Sequence, residues 1–409
     1  MISSSLCYIE KDGKYLMLHR VKKKNDFNEG KWIGVGGKFE PGETADECVL
    51  REVYEETGLT LTEYHMVGVI KFYNNSSEDQ DMFLYKATGF TGELKEDCPE
   101  GILKWVPKEE VLDLPTWAGD HYFIGPLLEG RTNLNMTVKY ENDVLTEFID
   151  ETMPVTIETA KGITAPHGFS TRIGGVSDNE YATLNLGMNR GDRKDRVCEN
   201  WRRFLEECHI NNKEFVCGAQ VHGKNVHIAT KADLRPAYGP GELIEADGYV
   251  TNEKNVPLAI FTADCVPLLL EDTVNPAVGA VHCGWKSTVQ DIEGEAVGKF
   301  CVLGSKPENI HAAIGPAIDR CCFEVGYEVI EACEKLLKEN IQDLYDAKEN
   351  GKYMLNLRGV VKRRLLQLGL KEENIELVGG CTMCNPDKYY SHRYSKGVRG
   401  SLATVIELR

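Results

Sequence analysis

Residues 36–59 read GGKFEPGETADECVLREVYEETGL, a stretch that leaves the backbone few options. Its first part is rich in Gly and Pro and makes a loop. Thr44 is a helix N-cap, and Gly58 stands at C′, where a left-handed residue ends a helix. The expected local fold is therefore a loop, a helix over 44–57 and a second loop. On that helix Glu52, Glu55 and Glu56 stand at i, i+3 and i+4. Their carboxylates share an arc of about 100°, opposite a stripe of Leu50, Val53 and Tyr54. Three carboxylates on one face repel unless a cation sits among them. Oxygen-only donors select hard Mg2+ (or Mn2+), and such a cluster on a rigid helix suits metal-assisted attack of water on a diphosphate. Arg51 is placed to pair with Glu55 at i+4. For three glutamates alone, a solvated acidic face is the plain alternative.

At 409 residues the chain is long enough for two domains with separate cores. Residues 1–150 alternate short β-type runs (6–9, 15–19, 66–73, 81–88) with turn signals such as Asp12-Gly13, an α+β pattern. The remainder mixes β-rich runs (257–261, 268–270, 278–282, 310–314) with amphipathic helices over 196–208 and 325–338, an α/β pattern. Only Cys7, Cys48 and Cys98 of the 14 cysteines fall in the first part. Residues 140–154 are acidic and hold no Gly/Ser tract, so a short direct junction is expected.

A formal charge of -17, with no basic run longer than Lys22 to Lys24, speaks against binding nucleic acid. The most apolar stretch carries Asp264 in its middle, so no membrane span is expected. The first residues lack a signal-peptide pattern, and many cysteines in a leaderless chain point to thiols and metal ligands in the cytoplasm.

The spacing Gly37, Glu43, then Arg51-Glu52-Val53-Tyr54-Glu55-Glu56-Thr57-Gly58-Leu59 resembles the Nudix box at every fixed position. The resemblance extends over residues 1–150. It implies a Nudix α/β/α sandwich that hydrolyses a nucleoside diphosphate linked to another group. Carried over, Glu52, Glu55, Glu56 and the Gly37 carbonyl are Mg2+ ligands, with Glu55 and Glu56 central to catalysis and Glu43 in support. The segment Leu114-Pro115-Thr116-Trp117-Ala118-Gly119-Asp120-His121 is similar to the base-recognition segment of oxidised-purine (8-oxo-dGTP) diphosphatases. Trp117 then stacks on a purine and Asp120 hydrogen-bonds its edge, the alternative being a core tryptophan. Those enzymes carry Trp-Asn-Gly before the box, whereas this chain has Trp32-Ile33-Gly34, and Ile33 offers no hydrogen bond to the base. Glu96 and Glu100 are alternative general bases.

In the second part Gln220-Val221-His222-Gly223, Thr262-Ala263-Asp264-Cys265 and Val281-His282-Cys283-Gly284-Trp285-Lys286 each place a His or Cys at the edge of an apolar run. Two imidazoles and a thiolate suit Zn2+, and three protein ligands leave a fourth position open, as in a catalytic site. Separations of 43 and 17 residues do not by themselves distinguish this from ordinary buried His and Cys.

Further segments bear on that choice: 167–177 (HGFSTRIGGVS), Asn185-Leu186-Gly187, Ala246-Asp247-Gly248, Ile314-Gly315-Pro316 and Tyr390-Ser391-His392-Arg393. Together these resemble the YfiH or laccase-domain family, also called the polyphenol oxidase or peptidoglycan-editing-factor family, over residues 155–409. The resemblance implies a mixed α/β domain with Zn2+ on His222, Cys265 and His282. It also implies purine nucleoside phosphorylase activity on adenosine, inosine and methylthioadenosine, with adenosine deamination. Phosphorolysis needs a cationic phosphate site, for which Arg172 beside Gly174-Gly175 is the candidate. Asp264 is a candidate for orienting a ligand or transferring a proton, a turn role being the alternative. The copper-oxidase reading attached to the family name needs more clustered histidines than the ten present. Cys381-Thr382-Met383-Cys384 fits a redox pair or half of a second zinc site with Cys321-Cys322. It follows a β-like run rather than opening a helix, unlike a redox motif.

The expectation is therefore a bifunctional enzyme acting on nucleosides and nucleotides with phosphate. A Mg2+-dependent Nudix domain (1–150) precedes a zinc-dependent YfiH-like purine nucleoside phosphorylase domain (155–409). The contrasting expectation is a nucleotide-sensing Nudix domain fused to a peptidoglycan-editing or polyphenol-oxidising factor.

Overall fold

The computed structural model describes residues 2–22, 27–240 and 242–409; Lys23 and Lys24 of the basic run lie outside them. The chain divides into two compact units, Met1–Pro154 and Val155–Arg409. Among the described residues no helix is long and apolar enough to cross a membrane.

The first unit is built on one mixed sheet. The strand Ile2–Lys11 pairs antiparallel with Lys14–His19 through the Asp12-Gly13 turn, and parallel with Gln80–Thr91. Gln80–Thr91 runs antiparallel to the long strand Thr60–Asn74. Every β-run expected in this part lies within one of these strands. The hairpin Leu134–Glu141 and Val144–Asp150 extends the sheet, so the stretch expected to be a junction holds an edge strand over Val144–Asp150. Its side chains carry enough β-branched and aromatic residues to pair once the neighbour is in place, although its charge masks this in sequence.

Helix α1, Ala45–Thr57, starts with a capping box between Thr44 and Glu47 and stops at Gly58, φ 79°. Its buried face is not the expected Leu50, Val53, Tyr54 stripe. Cys48, Val49, Val53 and Thr57 are buried, while Tyr54 is exposed under the Lys95 ammonium. The helix is rotated because i, i+4, i+8 residues 49, 53 and 57 face the sheet, and this turns Glu56 inward as well. Helix α2, His121–Leu128, covers the sheet with Phe123, Ile124 and Leu127.

The second unit has a six-stranded sheet in the order Val226–Ile228, Gly248–Thr251, Ala277–Cys283, Val266–Asp272, Ile310–Ile314, Ile375–Leu377. A four-stranded sheet joins Leu258–Thr262, Leu402–Ile406, His167–Ser170 and Ile157–Glu158. The amphipathic helices expected over 196–208 and 325–338 are Lys194–Glu207 and Tyr327–Leu337. The helices Ile292–Val302, Tyr327–Leu337 and Leu357–Gln367 cover the six-stranded sheet with an apolar layer that includes Val281, Phe300, Ile330 and Val361. Both units have the mixed α/β character expected from the sequence.

Candidate functional sites

In the first unit Arg51 organises the acidic helix. Its Nε and Nη2 donate to the two carboxylate oxygens of Glu43, each at 2.8 Å, and its Nη1 donates to Glu52 at 2.7 Å. The expected Arg51–Glu55 pair is the weakest of these contacts, at 3.4 Å. The loop before the helix brings Glu43 into fork geometry, which an exposed i+4 partner does not match. Glu55 faces solvent, whereas Glu56 is buried and accepts from the Gly36 N–H at 3.1 Å. Burial raises the Glu56 pKa to about 7 against the opposing Gly36 hydrogen bond, with Glu52 adding to the rise. Among the described residues the three glutamates do not form a group with oxygens within ligating distance of one another, because each has its own partner or points outward. The donor set still fits a hard cation. A Cβ on Gly37 would lie 2.4 Å from the Glu52 carboxylate, so only glycine leaves that face open. The Gly37 carbonyl accepts from Ser5 N–H at 2.9 Å and, more loosely, from the Cys48 thiol at 3.5 Å. Arg20 pairs with both Glu56 and Glu100, which brings Glu100 to this site; Glu96 is exposed on the loop before it.

Trp117 is half-buried in an aromatic group. It stacks on Phe27 at 4.5 Å, meets Phe72 and Tyr140 edge-on, and donates from Nε1 to Asn28 at 2.8 Å. Asp120 is buried, and burial raises its pKa to about 7 against the Trp117 N–H and Lys31. Near neutrality part of it is a neutral acid, able both to donate and to accept. Ile33 lies on the short strand Trp32–Ile33, with Trp32 stacked on His19 at 4.4 Å.

In the second unit three loops converge. His222 follows the strand Gly218–Ala219, Cys265 sits in the turn between Leu258–Thr262 and Val266–Asp272, and His282 stands near the end of Ala277–Cys283. Cys265 Sγ lies 3.8 Å from His222 Nε2, the two imidazoles are perpendicular with centroids 4.8 Å apart, and one ligand atom from each residue falls within 4.8 Å of the others. A Cβ on Gly284 would come within 2.9 Å of His222 Cδ2, 3.4 Å of Cys265 Sγ and 3.5 Å of His282 Cε1. The glycine keeps the space beside the triad clear, and two nitrogens with one sulfur are a borderline-soft set that fits Zn2+. Burial opposes ionisation of the Cys265 thiol, yet His282 and His222 outweigh it and bring its pKa down to about 6. Burial likewise opposes the His282 cation, and Cys265 with Asp247 raises its pKa to about 9.

Asp247 is the residue the sequence reading left without a role. Fully buried, its carboxylate accepts from Val221 N–H (3.1 Å), His222 N–H (3.0 Å) and Gly223 N–H (2.8 Å), and it faces His282 Nδ1 at 2.8 Å. One carboxylate thus holds the loop of one ligand and fixes the ring of another. Such a partner sets which imidazole nitrogen is free to ligate. Its segment, Ala246-Asp247-Gly248, was the available signal.

Asp264 takes the turn role. Its φ is 87°, and its carboxylate accepts from Thr382 Oγ1 at 2.6 Å and from Arg393 N–H at 2.7 Å, so both oxygens hold the C-terminal loop. Arg172 is likewise engaged: Nε and Nη1 donate to the Ala182 and Pro386 carbonyls at 2.8 Å, and the guanidinium lies over Tyr390. Two of its five N–H groups are thereby held by loop carbonyls. Arg399 is a second cation, buried, and acted on electrostatically by Asp264 and Cys265. Burial and then Arg190 lower its pKa to about 10, with Asp264 and Cys265 acting in the opposite sense, and its Nε has no hydrogen-bond partner among the described residues. Cys283 is fully buried, with its pKa raised by burial and by Glu293, and its sulfur is not among the grouped ligand atoms.

The fold and the triad together define a two-unit chain with a carboxylate-rich helix in the first unit and a His2Cys centre in the second. Residues 166–409 match the family model described as multi-copper polyphenol oxidoreductase laccase, and the chain belongs to that family; residues 3–125 match the NUDIX domain model. Among relatives, purine nucleoside phosphorylase YlmD of Bacillus subtilis is 35% identical over 248 residues, 59% of this chain and 88% of that protein. A purine nucleoside phosphorylase of Deinococcus radiodurans is 37% identical over 250 residues, 61% of this chain and 91% of that protein. The crystal structure of YlmD from Geobacillus stearothermophilus aligns with a TM-score of 0.57 at 31% identity, over 61% of this chain and 94% of that one. The first unit is a Nudix hydrolase domain and the second is of the YfiH type, akin to purine nucleoside phosphorylases.

Proposed function

We propose that the chain is a bifunctional enzyme of purine metabolism. Its first unit hydrolyses purine nucleoside triphosphates with Mg2+, and its second splits adenosine, inosine and methylthioadenosine with phosphate in a zinc-dependent manner and deaminates adenosine. The convergence of His222, Cys265 and His282 around the space left by Gly284, with Asp247 behind two of them, is the observation that carries the second activity.

Zinc, when bound, supplies Lewis acidity for activating water or polarising the purine. The chain supplies the rest. Asp247 accepts a hydrogen bond from His282 Nδ1–H, leaving Nε2 as the ligating atom, and pins His222 through its backbone N–H. Phosphorolysis forms a bond from a phosphate oxygen to ribose C1′ and breaks the bond from C1′ to the purine nitrogen. Arg399, assisted by Arg190, holds the phosphate in place of Arg172. The Arg399 Nη1 donates to the Gly400 carbonyl at 2.8 Å and to Ser401 Oγ at 3.0 Å, while its Nε has no protein partner among the described residues and its low-dielectric setting suits an anion.

In the first unit Glu52, Glu55, Glu56 and the Gly37 carbonyl hold Mg2+, which supplies charge neutralisation for the diphosphate. Glu100, tied to the same arginine as Glu56, is the general base in preference to Glu96. Trp117 stacks on the base and Asp120 reads its edge. The test is incubation of the purified protein with a panel of nucleoside triphosphates plus Mg2+, and separately with nucleosides plus phosphate. Free base with ribose 1-phosphate and monophosphate with pyrophosphate are the expected products; tight binding without turnover would favour the sensing and editing alternative.

A further inference from the structure

A second thiol-rich cluster lies in the same unit, outside the His222 triad. The sulfurs of Cys321, Cys322, Cys381 and Cys384 all lie within 4.8 Å of one another, with Cys384 Sγ 3.4 Å from Cys321 Sγ and 3.3 Å from Cys322 Sγ. All four are free thiols. We propose that these four cysteines form a closed tetrathiolate zinc site that staples two loops of the second unit and fixes one wall of the His222, Cys265, His282 site.

The geometry favours a metal over a disulfide. Zinc–sulfur bonds of about 2.3 Å in a tetrahedron give sulfur–sulfur edges of about 3.8 Å, close to the spread found here. Cys384 is nearly equidistant from two neighbouring cysteines, at 3.4 and 3.3 Å, both well beyond a bonded disulfide and neither a preferred partner. A tetrahedral ion engages all four. The loops are already held together: Thr382 N–H donates to the Ala317 carbonyl at 3.0 Å, and Asn385 Nδ2 donates to the Cys381 carbonyl at 2.8 Å. The first loop leaves the strand Ile310–Ile314 and the second precedes the Tyr390-Ser391-His392-Arg393 segment.

The consequence for the main site runs through Thr382, which lies between two of the cysteines. Its hydroxyl donates to Asp264 at 2.6 Å, and Asp264 immediately precedes Cys265. With four protein ligands the ion has no open position, so its role is structural rather than catalytic.

Metal analysis of the full chain tests this. The unaltered protein should carry about two zinc ions per chain and Cys384→Ser about one, while Cys384→His, which restores a ligand, should return to about two. Cys265→Ala loaded with Co2+ should show the intense sulfur-to-metal charge-transfer and tetrahedral bands of an all-sulfur site, a readout that stands even if Cys384→Ser fails to fold. A zinc count unchanged by Cys384→Ser would overturn the proposal. So would a disulfide involving Cys384 in the freshly purified protein, or a Co2+ spectrum lacking sulfur bands. Loss of zinc on Cys384→Ser but not on Cys265→Ala would support the staple while removing metal from the proposed function.

Discussion

Replacing Asp247 by Asn should damage the His222, Cys265, His282 centre without touching a ligand. The carboxylate accepts three backbone hydrogen bonds and faces His282 Nδ1, and the residue is fully buried. An amide oxygen can satisfy about two of these donors, and the NH2 group then confronts the others. Hydrogen bonds to a charged group are worth about 1.5–3 kcal/mol each, so losing one or two destabilises the second unit by roughly 3 kcal/mol. Loss of such a partner to a ligating imidazole lowers metal affinity by about 10–100-fold, or ~1.4–2.8 kcal/mol. Competition for zinc against a chromophoric chelator reads the second number, and thermal denaturation across pH reads the first.

The pH dependence has a definite sign. Burial raises the Asp247 pKa, but His282 and the loop N–H groups outweigh this and hold it below the ordinary carboxylate value. Its stabilisation is therefore present above the unfolded-state pKa and is lost as pH falls through the lower folded-state one. The stability gap between Asp247→Asn and the unaltered protein should be widest near neutrality and close in acid. Unchanged zinc affinity with a pH-independent gap would refute the reasoning.

Glu55→Gln or Glu56→Gln should remove most Mg2+-dependent triphosphate hydrolysis and leave phosphorolysis intact, as read by product assays of both. Because the Glu56 pKa is raised to about 7, its charged form grows as pH rises through that value, so Mg2+ half-saturation should fall over the same range and Glu56→Gln should lose this dependence. Ile33→Asn should raise the preference for 8-oxo-dGTP over dGTP by about 1–3 kcal/mol in kcat/KM, the cost of an unmet buried hydrogen-bonding group. Gly284→Ala puts a methyl group 2.9 Å from His222 Cδ2, so zinc content and phosphorolysis should fall together while the Nudix activity persists.

Local signals carried much of the fold. Thr44 and Gly58 bracket α1 as their capping chemistry requires, since a helix end is decided by its nearest residues. The face the helix buries was misread, because Tyr54 is apolar enough to join a stripe yet finds Lys95 outside. The convergence of His222, Cys265 and His282 was anticipated through the YfiH-type segments around them, since ending an apolar run fits ordinary buried His and Cys equally well. Asp247 was not, since its role exists only where Val221, His222, Gly223 and His282 converge on it. Arg172 looked like an anion site beside two glycines; of the carbonyls that engage its Nε and Nη1, that of Ala182 lies ten residues along and only that of Pro386 comes from a distant part of the chain. The strand Val144–Asp150 was hidden by its acidic residues and declares itself only against Leu134–Glu141.

The most direct test of the central claim is zinc content and phosphorolysis measured side by side on the purified chain, its Cys265→Ala variant and, as a control, Cys283→Ala. The account predicts that Cys265→Ala loses about one zinc per chain together with production of ribose 1-phosphate from inosine. Cys283→Ala should keep both, and all three proteins should hydrolyse nucleoside triphosphates equally. Full phosphorolysis and full zinc in Cys265→Ala would contradict the account.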